Sequence, residues 1–273
     1  MKELRLVLCD IDSTLINDQR ELMPLTKEVF DTLHKNGVYL GIASGRPLDE
    51  LKQYAKNWHL TYDFDVVIGM NGSSLYDGIT NQEYSYFKMK REWLKETLAL
   101  MKNFEANAFI YRDGKILAQR KDAMMLKSAQ TSNKEIIVVK SNEEFYEQEN
   151  EKIMFRVALE DMPKIEAFIK VHPSPNYNGF KTQATLLEFA DRRINKSYAL
   201  KKLCAMHDFT LDNVLSFGDT SNDNEMLAAS GLGVCMCNGS VDTKQCAKDI
   251  TNYSNNEDGV AHYIINHFGK YLK

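Results

Sequence analysis

Nowhere in the 273 residues does an uninterrupted apolar run approach the roughly 18 needed to cross a bilayer, which excludes a spanning helix. The apolar stretch near the start, Leu4 to Cys9, is broken by charge and too short for a signal-peptide core, so a cytoplasmic protein with no membrane partner is expected. A basic excess is also missing. The chain has 34 Lys and Arg against 38 Asp and Glu, a net charge of −4, and a binder of nucleic-acid backbone needs the opposite balance. The five cysteines, Cys9, Cys204, Cys235, Cys237 and Cys246, are odd in number and contain no C-x-x-C pair, so reduced thiols are expected rather than a disulfide framework. Cys235 and Cys237 do not have the usual spacing of paired zinc ligands and read as small residues beside a strand. The six histidines show no H-E-x-x-H or other ligand spacing. With 5 Pro, 14 Gly, 44% hydrophobic and 26% charged residues, the composition excludes disordered and collagenous classes and predicts one large domain or two modest ones.

What is present is an alternation of buried-type strands and amphipathic helices. The run Leu4 to Cys9 reads as a strand ending at Asp10. A helix follows from Pro24 to the stop at Asn36-Gly37, then a strand from Val38 to Ala43 and a helix opened by Pro47 and reaching Asn57. Asp65 to Gly69 is a third strand, before the Asn71-Gly72 turn. Strand, helix, strand in this order predicts a parallel sheet with helices on its faces and ligands at the strands' carboxyl ends. The rhythm changes after residue 84, where a helix over 90–104 is followed by a hairpin around Asp113-Gly114 and further strand candidates. From Ile194 the alternation resumes. The expected fold class is therefore α/β: a Rossmann-like parallel-sheet core domain, residues 1–83 and 189–273, with an inserted α+β cap domain at 84–188.

Four polar clusters fall at predicted strand ends or helix starts: Asp10-Ile11-Asp12-Ser13-Thr14, Ser44-Gly45-Arg46, Lys196-Ser197 and Gly218-Asp219-Thr220-Ser221-Asn222-Asp223. Each has a plain reading of its own. An isolated D-x-D is usually a surface turn, Lys196 a solvated charge, and Asn222 with Glu225 a capping box. Brought to one end of one sheet, however, carboxylates about 4 Å apart repel by roughly 4 kcal/mol per pair at an effective dielectric of 20. The all-oxygen donor set of Asp10, Asp12, Asp219 and Asp223 then calls for a hard cation, Mg²⁺ first. Lys196 adds a second positive charge, and the Ser44 hydroxyl with the amides from Gly45 onward offers donors to an anion. Such a site fits a phosphate dianion. Asp10 is the candidate nucleophile, and Asp12, two residues along an extended chain, is placed to protonate the leaving oxygen and deprotonate water. That role requires neighbouring negative charge to raise its pKa.

These clusters, with Ala43 before Ser44, Asn71-Gly72, Ala199-Leu200 after the lysine, Met226-Leu227 and Asn256-Glu257-Asp258-Gly259-Val260, resemble the haloacid dehalogenase-like hydrolases, and among them the Cof-type phosphatases with a large α/β cap. The likeness spans nearly the whole chain. It implies that Asp10 carries the phosphoryl group, that Asp12 is the acid/base, and that Ser44, Gly45, Lys196 and Asn222 contact the substrate phosphate. It also implies that Asp219 binds Mg²⁺ beside Asp10 and the Asp12 backbone carbonyl, with Asp223 in support. The family usually has glycine at the positions of Ser13 and Ser197. The resulting expectation is a Mg²⁺-dependent phosphatase of small phosphorylated metabolites such as sugar phosphates. The alternatives are a phosphotransferase or mutase of the same superfamily and a catalytically silent binding module. The insert would serve as a cap that excludes water and meets the leaving group.

Overall fold

The computed structural model describes residues 3–273, which form two compact units. One unit combines the chain up to Ser85 with Asn195–Lys273; the other is Tyr86–Ile194.

The first unit is built around β1 (Leu6–Cys9), whose four residues are all fully buried, as a strand covered on both faces requires. In α1 (Pro24–Lys35), Pro24 occupies the first turn, where its missing N–H costs nothing, and Thr26, Val29, Phe30 and Leu33 make the buried face. After β2 (Tyr39–Ala43), the helix expected from Pro47 to Asn57 is instead two single turns, α2 (Leu48–Leu51) and α3 (Tyr54–Asn57). Between them the ladder slips to an i−3 bond, from the Gln53 N–H to the Glu50 carbonyl. β3 (Val66–Gly69) completes this side of the parallel set. A hairpin absent from the sequence reading, β4 (Ser74–Asp77) and β5 (Gln82–Ser85), extends the sheet antiparallel.

In the second unit, α4 (Arg91–Met101) precedes the hairpin of β6 (Ala106–Arg112) and β7 (Lys115–Ala118). Asp113 and Gly114 join its strands at φ of 50° and 73°, the left-handed pair that a two-residue hairpin loop demands. Then come α5 (Ala123–Ser132), β8 (Ile136–Val138), β9 (Lys152–Val157), α6 (Met162–Lys170), β10 (Tyr177–Gln183) and β11 (Leu186–Asp191), giving the strand order β10-β11-β9-β6-β7-β8. Side-chain alternation divides the sheet's two faces. Ala108 and Ile110 join a core with Leu94, Leu98 and Ile165 of α4 and α6, while Phe109 and Met154 pack with Met125 and Ala129 of α5. The boundary expected at 188/189 would cut β11, whose pairing with β9 and β10 ties it to this unit; the division falls after Ile194. Tyr177 and Asn178 open β10, and the Tyr177 ring lies in the core.

The first unit resumes with α7 (Lys196–Met206), β12 (Val214–Gly218), α8 (Asn224–Ala229), β13 (Leu232–Cys235), α9 (Val241–Cys246), β14 (Asp249–Ile250) and α10 (Gly259–Phe268). Its sheet order is β14-β13-β12-β1-β2-β3-β4-β5. The chain therefore leaves β1 toward β2 and β3, then returns on the other side through β12. The crevice between the carboxyl ends of β1 and β12 is a topological switch point, where open α/β sheets bind ligands. No helix among the described residues is long and apolar enough to cross a membrane, and all five cysteines are free.

Candidate active site

Asp10 is the first residue past β1, and its N–H donates to the Phe217 carbonyl of β12 at 2.9 Å. Asp219 is the first residue past β12. A 3₁₀ turn over Ser221–Asp223 brings Asp223 back, so that its Oδ2 accepts from the N–H of Asp219 at 3.0 Å and of Thr220 at 3.3 Å. The capping box thus pairs Thr220 with Asp223, two residues earlier than the expected pairing of Asn222 with Glu225. Gly218 makes this return possible: a Cβ there would sit 2.5 Å from the Asp223 Cβ and Cγ. Oxygens of Asp10, Asp219 and Asp223 all fall within 4.8 Å of one another.

Lys196, the first residue of α7, is fully buried rather than solvated. A cation at a helix N-terminus opposes the backbone dipole, so its position needs another cause. Its Nζ donates to Asp223 Oδ1 at 2.6 Å and to Asp10 Oδ1. Burial pulls the ammonium toward neutrality, but the Asp10 and Asp223 carboxylates outweigh it and hold its pKa above the ordinary lysine value. One ammonium cannot balance three carboxylates. Burial, then the charges of Asp223 and Asp219, push Asp10 well above the carboxylate range against the pull of Lys196. Burial and Asp223 push Asp219 up to about 7. Three close carboxylate oxygens with a surplus of negative charge, joined by no soft donor among the described residues, fit a hard divalent cation.

Asp12 departs from expectation. The chain does not stay extended past Asp10 but turns, with the N–H groups of Leu15 and Ile16 both donating to the Ile11 carbonyl. The Asp12 side chain is half exposed and lies outside the carboxylate cluster; the Arg46 Nη2 donates to both its oxygens at 2.9 Å. Arg46 also binds Glu50 at 2.6 Å. Ser13 adopts the left-handed φ of 61°, a conformation that costs a residue with a Cβ about 1 kcal/mol and glycine little. The expected outcome of Ser13→Gly is thus a gain of about 0.5–1 kcal/mol, read as a rise of about 2 °C in the melting midpoint. A lower midpoint would contradict the strain argument.

Ser44 is buried at the end of β2, and its Oγ accepts from the Arg46 N–H at 3.4 Å. Gly45 lies against Asn71: a Cβ on it would stand 3.2 Å from the Asn71 Oδ1. Asn222 Nδ2 donates to Asn71 Oδ1 at 3.3 Å. α2 has four residues, and the anion-facing donors expected before it are those of the Ser44-Gly45-Arg46 loop. Two residues of the site were not singled out in the sequence. Thr14 donates its hydroxyl to Asp219 Oδ1 at 2.9 Å, and Asn71 touches two of the other clusters. Thr14 lay within the first cluster, whereas Asn71-Gly72 entered as a turn signal and as part of the family resemblance, with no role of its own.

The family model for haloacid dehalogenase-like hydrolases matches residues 7–264. The chain belongs to that family. It is a phosphatase of the Cof type, similar over nearly its whole length to proteins named as phosphatases. The Bacillus subtilis 5-amino-6-(5-phospho-D-ribitylamino)uracil phosphatase YcsE is 27% identical over 262 residues, covering 96% of this chain and 95% of its own. The HMP-PP phosphatase of Yersinia pseudotuberculosis is 27% identical over 261 residues, covering 95% and 94%. In fold, this hydrolase superposes on the crystal structure of a haloacid dehalogenase-like hydrolase from Bacteroides thetaiotaomicron with a TM-score of 0.85, at 22% identity, over 97% of this chain and all of that one.

Proposed function

We propose that the enzyme is a Mg²⁺-dependent phosphatase of small phosphorylated metabolites, sugar phosphates among them, acting through an aspartyl-phosphate on Asp10. The observation that carries this reading is the buried Lys196 ammonium shared by Asp10 and Asp223 inside a three-carboxylate crevice at the switch point. A carboxylate attacks a phosphoryl group only if the repulsion between two anions is offset. Lys196 supplies one fixed positive charge at the attacking oxygen. Mg²⁺, held by Asp10, Asp219, Asp223 and the Asp12 carbonyl, would supply the further positive charge that the cluster lacks. Ser44, Gly45, Lys196 and Asn222 surround the phosphoryl group in this reading.

Asp10 forms a bond to phosphorus as the ester oxygen leaves, and Asp12 gives that oxygen its proton. The same carboxylate then takes a proton from the water that hydrolyses the acyl phosphate. The Arg46 contact, with Glu50 behind it, holds Asp12 in the ionised form that takes the proton from water, and it loosens when Asp12 carries the proton for the leaving oxygen. Relatives named for small phosphorylated molecules support the substrate class.

A panel of phosphorylated metabolites assayed with Mg²⁺ and with EDTA tests the proposal. Phosphate release from sugar phosphates is expected, falling at least 100-fold on chelation, on the order of the 3 kcal/mol that a charge-stabilising group contributes to such a step. Undiminished release in EDTA would refute the metal dependence. Formation of a phosphate isomer instead of free phosphate would favour a mutase.

A further inference from the structure

The connection between β3 and β4 does more than reverse the chain. Met70 and Asn71 both take left-handed φ, 51° and 56°, and Gly72 follows at 104°. Two successive non-glycine residues in that region persist only where surrounding contacts over-determine them, and such places concentrate at functional sites. The contacts here are specific. The Met70 N–H donates to the Arg46 carbonyl at 2.9 Å, and the Asn71 N–H to the Ser44 carbonyl at 3.0 Å. Gly72 lies against the residue before Lys196, so closely that a Cβ would fall 2.1 Å from the Asn195 carbonyl oxygen. Asn71 Oδ1 accepts from Asn222 Nδ2 at 3.3 Å. Three residues thus touch the Ser44-Gly45 loop, the start of α7 and the Asn222 turn together.

An amide nitrogen carries two hydrogens, and in Asn222 one of them is spent on Asn71. That bond sets the plane of the amide and the direction of the second hydrogen. The Asn222 Oδ1, by contrast, is buried with no partner among the described residues, so nothing on that side of the amide fixes it. Asn71 is the group that holds the amide in place.

We propose that Asn71 is a positioning residue for phosphoryl binding: its side-chain oxygen aims the Asn222 amide at the phosphoryl group. The inference rests on the reading in which Asn222 contacts the substrate phosphate. Glycine adopts a φ of 56° without strain, so Asn71→Gly removes the side chain while keeping the backbone. Inorganic phosphate is the probe, its Ki measured as a competitive inhibitor of aryl phosphate hydrolysis and its binding checked independently by the thermal shift it produces. N71G should raise the phosphate Ki and KM about tenfold, the size of one hydrogen bond to a charged group, with kcat changed less than KM. Its melting midpoint without phosphate should stay near that of the wild type. N222A should raise Ki at least as much, and the double variant N71G/N222A no further than N222A alone, because the two residues act in series.

Wild-type Ki in N71G beside a raised Ki in N222A would overturn the positioning role and leave the phosphate contact standing. Unchanged Ki in N222A would overturn both. Fully additive losses in the double variant would show that Asn71 acts by a route other than Asn222 and would also overturn the proposal.

Discussion

Asp10→Asn is expected to give a folded, inert protein. The amide cannot form the bond to phosphorus, so turnover should fall by a factor on the order of 10⁴ or more, the scale at which loss of a nucleophile leaves only binding and electrostatic catalysis. Stability should not fall with it. Asp10 is buried beside Asp219 and Asp223, and its raised pKa shows that the fold disfavours its charge even with Lys196 in contact. Asparagine removes that charge and keeps an oxygen for the Lys196 ammonium. The measurement is phosphate release by purified D10N beside its melting midpoint, with acid-quenched enzyme examined for covalently bound phosphate. Release at the wild-type rate would end the assignment of Asp10; an unfolded variant would contradict the electrostatic account of the crevice.

The local part of the site was legible because it depends on short-range pattern. Leu6 to Cys9 is apolar without interruption and ends at an acid, and an uninterrupted run followed by Asp10 is what a doubly covered strand with a functional carboxyl end looks like. β12, interrupted by one serine, likewise ends in Gly218 before an acid, Asp219. What was not legible depends on pairings far apart in the chain. Lys196 has the sequence context of a surface lysine, and its burial is accounted for by Asp10, 186 positions away, together with Asp223, 27 positions on. An extended backbone past Asp10 would put the Asp12 carboxylate on the same side as that of Asp10. The left-handed Ser13 and the turn onto the Ile11 carbonyl redirect it to Arg46, 34 positions away, and neither feature has a one-residue signature. Asn71-Gly72 carries a true turn signal, but its side-chain contact depends on Asn222, 151 positions on. In the insert, α5 was missed because its sequence, Ala-Met-Met-Leu-Lys-Ser-Ala-Gln-Thr-Ser, carries only a weak apolar stripe, and Leu126 remains exposed.

Asp219→Asn should uncouple stability from metal and from pH at once. In the folded protein burial and the Asp223 charge push the Asp219 pKa from 3.8 up to about 7, so the folded chain holds that proton more tightly than the unfolded chain does. The stability linked to it is therefore present in full below about pH 4 and is lost as the pH rises through about 7. The amount is on the order of 4 kcal/mol for a displacement of this size. In EDTA, the wild type should lose stability relative to D219N across that interval. By pH 7.5 the variant should be the more stable protein, since asparagine carries no charge and can still accept the Thr14 hydroxyl bond. Addition of Mg²⁺ should reverse the order: binding to the folded wild type raises its midpoint with metal concentration, whereas D219N lacks a charged ligand and should respond weakly. Denaturant midpoints at pH 5, 6 and 7.5, with EDTA and with Mg²⁺, separate the two effects. A wild type that stays more stable than D219N in EDTA at pH 7.5 would show that a fixed charge within the fold already compensates Asp219. An equal Mg²⁺ response in both proteins would place the ion away from this carboxylate.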